Sequence, residues 1–365
     1  MIPASLYNTV FLYSVIFLTF YSFVYVGRSY VAISRGTNNF TQALIISLVF
    51  ALWLGGRPIS GYYFGDTGNY AHTYYLMQMG IIMPNDDGEW IWNKLMYLCS
   101  QIMDVSAFFT IVDLGYFGLT LWACRRLTPN NVLVSLMFCF GALSFYSYGT
   151  NGIRNGLACS MLLLYFSYLG ENRKNIIGAI VVAFIAFNIH HTTALPILMS
   201  LISVVCIRSF KWAYTFWILS IVISLVAGGA VTAFFAGLGF DDRVSYLQAE
   251  MDSDTFSRTS FRWDFLLYSM MPIVLGYYVV IKRGIRNRTY ELFLNTYTLS
   301  NAFWVMVIRA NYSNRFAYLS WFMYPIVLAY PLLKLDIWGP QQGKKLRLIM
   351  LAHIGFTWFM QTLYW

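Results

Sequence analysis

The chain alternates apolar runs with short polar connections along its whole length. Twelve runs approach the roughly 20 apolar residues that a helix needs to cross about 30 Å of hydrocarbon. They cover residues 6–26, 40–55, 105–124, 130–149, 151–170, 175–190, 193–207, 212–239, 264–281, 290–309, 312–333 and 346–364. Because a backbone inside lipid must satisfy its own hydrogen bonds, the pattern predicts an all-α, multi-pass membrane protein that forms one transmembrane domain over residues 1–365.

Composition supports this interpretation and excludes other classes. Apolar residues make up 59% of the 365 residues and charged residues only 11%, whereas a soluble domain carries about a quarter charged residues. A soluble enzyme, a disordered chain and a secreted disulfide framework are excluded. The five cysteines are odd in number and lack metal-ligand spacing, so we interpret them as core residues.

The basic residues predict an orientation. With both chain ends outside, sixteen of the 24 Lys and Arg residues fall in inner connections and eight outside, as the positive-inside rule requires. The net charge of +9 therefore reflects topology and does not imply nucleic acid. Two outer connections are long. Residues 56–104 include an interfacial amphipathic helix predicted over 89–104, and residues 240–263 mix acids with arginines. Both are candidate substrate-docking surfaces, with solvated connectors as the alternative.

Three of the eight outer basic residues, all of which depart from the positive-inside bias, lie at the ends of apolar runs. Arg154 begins the fifth run, Arg309 ends the tenth and Arg315 begins the eleventh. The fifth and eleventh helices would run inward, so their N-termini would add positive dipole ends at the same face. Guanidinium groups bind phosphate oxygens in pairs. The pattern predicts a site for lipid-linked phosphate or pyrophosphate, and snorkelling to lipid head groups is the alternative.

A histidine pair separates two short apolar runs. His190 and His191 are followed by Thr192 and Thr193. Because runs of 15 to 16 residues give only about 24 Å of helix, the turn should be recessed below the outer surface and should line a cavity. Ionisable groups at that depth are functional candidates. The alternative is that both histidines are structural.

The first outer connection contains a Gly- and Tyr-rich stretch at residues 61–75, preceded by Arg57. Asp66 and Tyr70 lie within it, and a carboxylate among aromatic rings is typical of a carbohydrate site. The alternative for the tyrosines is an aromatic belt at the membrane interface. Asp113 lies in mid-run, and we expect it to be buried and paired with Ser or Tyr, a proton-relay role being the other possibility.

Four motifs in this order resemble a known family. They are Asp66 with Tyr70, IRNGLA at 153–158, the His-x-Thr-Ala-Leu run at 191–195, and YSNRFAYLSWFMYP at 312–325. The combination resembles the EpsG-like branch of bacterial polysaccharide polymerases, whose best-known members are the Wzy O-antigen polymerases. Asn155 stands where that branch has Gln, and Thr193 stands where it has Ser. Both replacements keep the hydrogen-bonding character.

The resemblance implies an activity and a setting. It implies a GT-C-like, metal-independent glycosyltransferase of the bacterial inner membrane that needs no cofactor and acts on the periplasmic side in O-antigen, lipopolysaccharide or related polysaccharide biosynthesis. The donor and acceptor would both be glycans linked to undecaprenyl pyrophosphate in the lipid bilayer. A flippase and a chain-length co-polymerase of the Wzz type are the expected partners.

The chemistry of such a transfer gives the candidate residues their roles. Lipid pyrophosphate is a good leaving group, so the enzyme must stabilise its charge and activate a hydroxyl. A single displacement would invert the anomeric centre. The expected pyrophosphate ligands are Arg154, Arg309, Arg315 and Arg57. His191 is the first choice for the base and Asp66 the second. The expected sugar-binding residues are Tyr70, His190, Thr193, Asn155 and Tyr312.

Two other functions stay open at this level. A flippase or transporter of lipid-linked sugars also has about twelve spans, but its site would lie near the bilayer midplane and its halves would repeat. An O-antigen ligase would need the same anion site as a polymerase.

Overall fold

The computed structural model describes residues 2–36, 39–84, 88–170, 175–207, 209–237, 261–309 and 313–364. Within these ranges the chain is helical and has no strand, which confirms the all-α prediction. The helices are α1 Tyr7–Ser22, α2 Tyr30–Arg35, α3 Phe40–Gly55, α4 Gly61–Phe64, α5 Thr67–Gln78, α6 Trp90–Ser100, α7 Val105–Leu127, α8 Val132–Phe140, α9 Phe145–Thr150, α10 Ile153–Gly170, α11 Ile176–Ile189, α12 Ala194–Val205, α13 Phe210–Gly237, α14 Trp263–Gly276, α15 Arg288–Met306, α16 Ser313–Trp321, α17 Tyr324–Lys334 and α18 Gln342–Phe359.

Five helical stretches of the described chain are long and apolar enough to cross a membrane. They are Ala4–Tyr25, Val105–Leu127, Phe210–Val231, Trp263–Lys282 and Arg315–Lys334. Three further apolar helices, Phe40–Gly55, Ile176–Ile189 and His191–Val205, are shorter. The chain is therefore consistent with a membrane protein, whereas twelve spans and a GT-C-like architecture remain predictions.

The predicted run at residues 130–149 is broken. It forms α8 and α9 with a turn at residues 141–144 between them. A helix break frees backbone carbonyl groups, which must find donors elsewhere. His353 Nε2 lies 2.9 Å from the Phe138 carbonyl oxygen, and Thr357 Oγ1 donates to the Gly141 carbonyl oxygen at 2.7 Å. Side chains of α18 thus stabilise the break.

The chain divides into two compact units. The first comprises Met1–Thr193 with Ala329–Trp365, and the second comprises Ala194–Leu328. Helices α1 to α11 and α18 belong to the first unit, and α12 to α16 to the second. The first unit contains Asp66, both histidines and the IRNGLA motif, and the second contains Arg309 and Arg315.

The first long connection contains three helices, α4, α5 and α6, where the sequence predicted one. The predicted amphipathic helix over 89–104 is confirmed as a helix but covers only Trp90–Ser100. It ends early because Asp104 caps the next helix instead, accepting a hydrogen bond from the Ala107 N–H at 2.8 Å. The second long connection, 240–263, lies almost entirely outside the described residues.

The first unit has an aromatic core. Phe108 of α7 packs against Tyr74 of α5 and Trp92 of α6, with ring centroids 5.2 and 5.6 Å apart. Ile153 at the start of α10 and Ile189 at the end of α11 belong to the same buried cluster. Because five helices share this core, the residues next to these positions are held close together.

Candidate functional site

Glu89 is the centre of the site. It directly precedes α6, and both of its carboxylate oxygens are engaged. Oε2 forms an ion pair with Arg154 Nη1, and Oε1 contacts His190 Nδ1. Oε1 also accepts a hydrogen bond from the backbone N–H of His191 at 3.0 Å. One carboxylate therefore joins the N-terminus of α6, the first turn of α10 and the histidine turn.

The surroundings of Glu89 keep it ionised. Burial by itself would raise the pKa of Glu89, because a charged group is disfavoured away from water. The hydrogen bond and charge of His190, the charge of Arg154 and the N–H of His191 outweigh burial and lower this pKa to about 2. At neutral pH the site therefore contains a carboxylate that is held in place by its partners.

Arg154 lies in the first turn of α10, and Glu89 engages only part of its guanidinium. Its side chain is 32% exposed, against 14% for Glu89. Nη1 faces Glu89, while Nε is buried and has no hydrogen-bond partner among the described residues. A guanidinium has five N–H donors in a planar fork. Arg154 thus retains donors with which an anionic ligand can interact.

The glycine of the IRNGLA motif is required for close packing. A Cβ at Gly156 would lie 2.5 Å from the Tyr148 carbonyl oxygen, so only glycine allows α10 to approach the end of α9 this closely. Asn155, expected to bind sugar, is buried, and its Oδ1 accepts a hydrogen bond from Cys159 Sγ at 3.3 Å. The motif therefore positions Arg154 through close helix contact.

The two histidines have different surroundings. His190 is buried, with extended backbone after α11, and contacts Glu89. His191 is exposed, and its ring stacks on Phe187 with centroids 4.6 Å apart. Thr193 is buried, and its hydroxyl donates to the His190 carbonyl oxygen at 2.9 Å. The structure thus separates a histidine bound to the carboxylate from one whose ring reaches the surface of the unit.

Arg57 lies inside the first unit, not at its surface. Its Nη1 forms an ion pair with Asp113 Oδ2 at 2.9 Å, and both side chains are 0% exposed. Nη1 also donates to the Leu54 carbonyl oxygen at 2.7 Å, and Nη2 donates to the Thr150 carbonyl oxygen at 3.2 Å. The expected partner of Asp113, Ser or Tyr, is therefore corrected to Arg57. Because its guanidinium is enclosed, we reassign Arg57 from pyrophosphate ligand to a residue that positions the backbone at Leu54 and Thr150.

The Asp66 segment packs on the turn that precedes α10. The backbone N–H of Asp66 donates to Asn151 Oδ1 at 2.8 Å, and Thr67 Oγ1 donates to the Thr150 carbonyl oxygen at 2.5 Å. Gly65 has a φ of +54°, and a Cβ there would collide with Asn151. The Tyr70 ring meets Trp92 edge-on, with centroids 5.6 Å apart. Asp66 and Tyr70 therefore belong to the same unit as Arg154, on neighbouring elements.

The other predicted arginines belong to the second unit. Arg309 is exposed and lies against Gly228 of α13, where a Cβ would meet Arg309 Cδ at 3.0 Å. Its guanidinium is 5.9 Å from the ring centroid of Phe261. Arg315 lies in α16, and Tyr312 lies outside the described residues. A common anion site for Arg154, Arg309 and Arg315 stays a prediction.

Sequence reasoning missed the role of Glu89. Its partner His190 is 101 residues away along the chain, so no local motif connects them. The available signal was the outer arginine at the start of an apolar run, because such a charge needs an acidic partner. The described residues contain no group of three His, Cys, Asp or Glu side chains placed to hold a metal ion. Metal independence itself stays a prediction.

Comparison with known proteins places this chain within a family. A search of curated proteins and a search of solved structures each found no match. The family model of the EpsG family matches residues 40–362, a range that includes Asp66, Glu89, Arg154 and both histidines. The resemblance seen in the sequence motifs is thereby confirmed. The chain belongs to the EpsG family, a family of Wzy-type polymerase-like membrane proteins.

Proposed function

We propose that this protein is a polysaccharide polymerase of the bacterial inner membrane. It transfers a growing glycan from undecaprenyl pyrophosphate to the terminal sugar hydroxyl of a lipid-linked repeat unit on the periplasmic side. Membership of the EpsG family indicates a polysaccharide polymerase-like function. The observation that supports the finer proposal is Arg154, whose side chain is 32% exposed and pairs with a carboxylate that also contacts the histidine turn.

Arg154 has the first role, which is to stabilise the leaving group. As the bond between the anomeric carbon and the pyrophosphate oxygen breaks, the electron pair and negative charge stay on the lipid pyrophosphate. A guanidinium stabilises this charge at every relevant pH and offers paired donors to phosphate oxygens. Arg309 and Arg315 are proposed to contact the lipid pyrophosphate as well. Arg57 acts indirectly, by holding the segments around Thr150.

Proton removal from the acceptor hydroxyl is the second role. His191 remains our first choice for the base because its ring is exposed while its backbone N–H is fixed on Glu89. Asp66 is the second choice, since its backbone is held by Asn151. The hydroxyl oxygen forms the new bond to the anomeric carbon while its proton passes to the base. One such displacement inverts the anomeric centre.

Tyr70, His190, Thr193, Asn155 and Tyr312 remain the proposed sugar-binding residues. The Thr193 hydroxyl donates to the His190 carbonyl oxygen, Asn155 Oδ1 accepts from Cys159, and His190 contacts Glu89. Tyr70 is partly exposed. We propose that the reaction needs neither metal nor cofactor, and that a flippase supplies repeat units while a Wzz-type co-polymerase limits chain length.

The proposal is tested with purified protein in detergent micelles and repeat units linked to undecaprenyl pyrophosphate. A polymerase forms a ladder of products on a gel, and the same units linked to undecaprenyl monophosphate form none. Micelles have no two sides, so a flippase yields no product in this assay. A ligase adds glycan once to a different acceptor and gives no ladder. Absence of a ladder from folded, monodisperse protein contradicts the proposal.

A further inference from the structure

The carboxylate at the centre of the site has a role that family membership does not assign. We infer that Glu89 is a positioning residue that occupies the anion-binding edge of Arg154 until a donor phosphate displaces it, while it continues to anchor the histidine turn. This inference rests on the proposed function, because the displacing anion is the pyrophosphate of the donor. It concerns how the same site is kept ordered before the donor arrives.

The number of partners supports this role. A surface ion pair usually joins two side chains and contributes little to the stability of the fold. Glu89 instead contacts Arg154 with one oxygen and both His190 and the His191 backbone with the other. These three partners come from two segments that are far apart in sequence and that both carry proposed site residues. Loss of the carboxylate charge would therefore disturb the arginine and the histidines together.

Accessibility distinguishes this ion pair from a purely structural one. The Arg57–Asp113 pair in the same unit is 0% exposed on both sides, so no ligand can reach it. The Arg154 side chain is 32% exposed, and its Nη1 contacts Glu89. A phosphate can approach the exposed part of this guanidinium and replace the carboxylate. Both anions use the same N–H donors, so they compete for Arg154.

Displacement of Glu89 from Arg154 by phosphate affects the arginine and the histidine turn differently. When phosphate takes Arg154, the other carboxylate oxygen of Glu89 can keep its contacts with His190 Nδ1 and the His191 N–H. The histidine turn therefore stays ordered while the arginine moves to the leaving group. Removal of the carboxylate charge should free Arg154 for phosphate but loosen the histidine turn. Phosphate binding should improve and turnover should fall.

The test uses Glu89→Gln in the full-length purified protein. Three constants are measured: the inhibition constant of inorganic pyrophosphate, and the kcat and KM for the lipid-linked donor. We expect pyrophosphate to bind at least about fivefold more tightly, the lower end of coupling between two sites. The donor KM should fall with it, while kcat should fall about tenfold or more, since an oriented base contributes at least that much.

Glu291→Gln is the matched control. Glu291 is in the second unit, pairs with Arg286 at 2.9 Å and is 13% exposed, against 14% for Glu89. This control should leave all three constants unchanged. Glu89→Asp keeps the charge on a shorter side chain, so its constants should lie between those of wild type and Glu89→Gln. That partial rescue would not be expected if any change at position 89 simply destabilised the fold.

The outcomes separate this inference from the proposed function. If wild type forms ladders but Glu89→Gln binds pyrophosphate no more tightly, or keeps its kcat, the inference is wrong. If wild type forms no ladder, the proposed function fails, and direct binding of radiolabelled pyrophosphate still decides whether Glu89 competes for Arg154. Should Glu89→Gln not accumulate, Glu89→Asp is compared with wild type, and equal pyrophosphate affinity contradicts the inference.

Discussion

The buried pair of Arg57 and Asp113 gives a prediction whose size follows from the structure. In Arg57→Met, Asp113 would lose the one partner it has among the described residues, since its Oδ1 already has none. Removing one member of a buried ion pair leaves an uncompensated charge and costs about 3–5 kcal/mol. The carbonyl of Thr150 keeps the hydroxyl of Thr67 as donor, so it adds little to this cost.

A double variant, Arg57→Met with Asp113→Leu, should recover most of the lost stability. Replacing both charges of a buried pair with apolar groups is often neutral, because the desolvation penalty disappears with the attraction. The carbonyl of Leu54 keeps the backbone N–H of residue 57 as its donor at 3.2 Å. We therefore expect the free energy of unfolding of the double variant to lie within about 1.5 kcal/mol of the wild-type value.

The assay is chemical unfolding of the purified proteins in one mild detergent, followed by tryptophan fluorescence, together with donor kinetics. A loss below about 1 kcal/mol in Arg57→Met would refute the ion-pair argument, because exposed pairs cost that little. A double variant that regains its stability should also regain a donor KM near that of wild type, because Arg57 is enclosed and acts only through the segments it holds.

Three further predictions concern the chemistry. Arg154→Lys, Arg309→Lys and Arg315→Lys should keep their helix content but lose most of the product ladder, because a point charge replaces a paired donor; wild-type ladders from all three would contradict the pyrophosphate assignment. Activity should survive chelators, and a strict, reversible need for Mg²⁺ or Mn²⁺ would overturn metal independence. His191→Gln should lower turnover about 10²–10⁴-fold and change the acidic limb of the pH–rate profile; normal turnover with an unchanged limb would pass the base role to Asp66, tested by Asp66→Asn.

The sequence predicted what depends on local pattern. Long apolar runs predicted the helices, and the all-α class is confirmed. The break in the run 130–149 was not predictable, because the group that supports it at Phe138 is His353, 215 residues away. An apolar pattern shows that a helix can form but not which distant side chain will satisfy a broken turn.

The candidate site shows the same limit. Arg154 and His190 were found because charges are rare at the ends of apolar runs. Glu89 was missed because it stands among other acids in a polar connection, where nothing local marks it as different. Arg57 was assigned to ligand binding because it lies near a polar stretch, yet Asp113 inside an apolar run already required a cationic partner. A search for a cation to match Asp113, and for an acid to match Arg57, would have paired the two residues.

We propose above all that the lipid pyrophosphate of the donor leaves the anomeric carbon, stabilised by Arg154, as each glycosidic bond forms. The most direct measurement counts free undecaprenyl pyrophosphate against new linkages, with purified protein and radiolabelled repeat units in detergent micelles. We predict one released lipid pyrophosphate per linkage for wild type, and a loss of both in parallel for Arg154→Lys. Polymer growth without release of lipid pyrophosphate, or full release and growth in Arg154→Lys, would contradict the account.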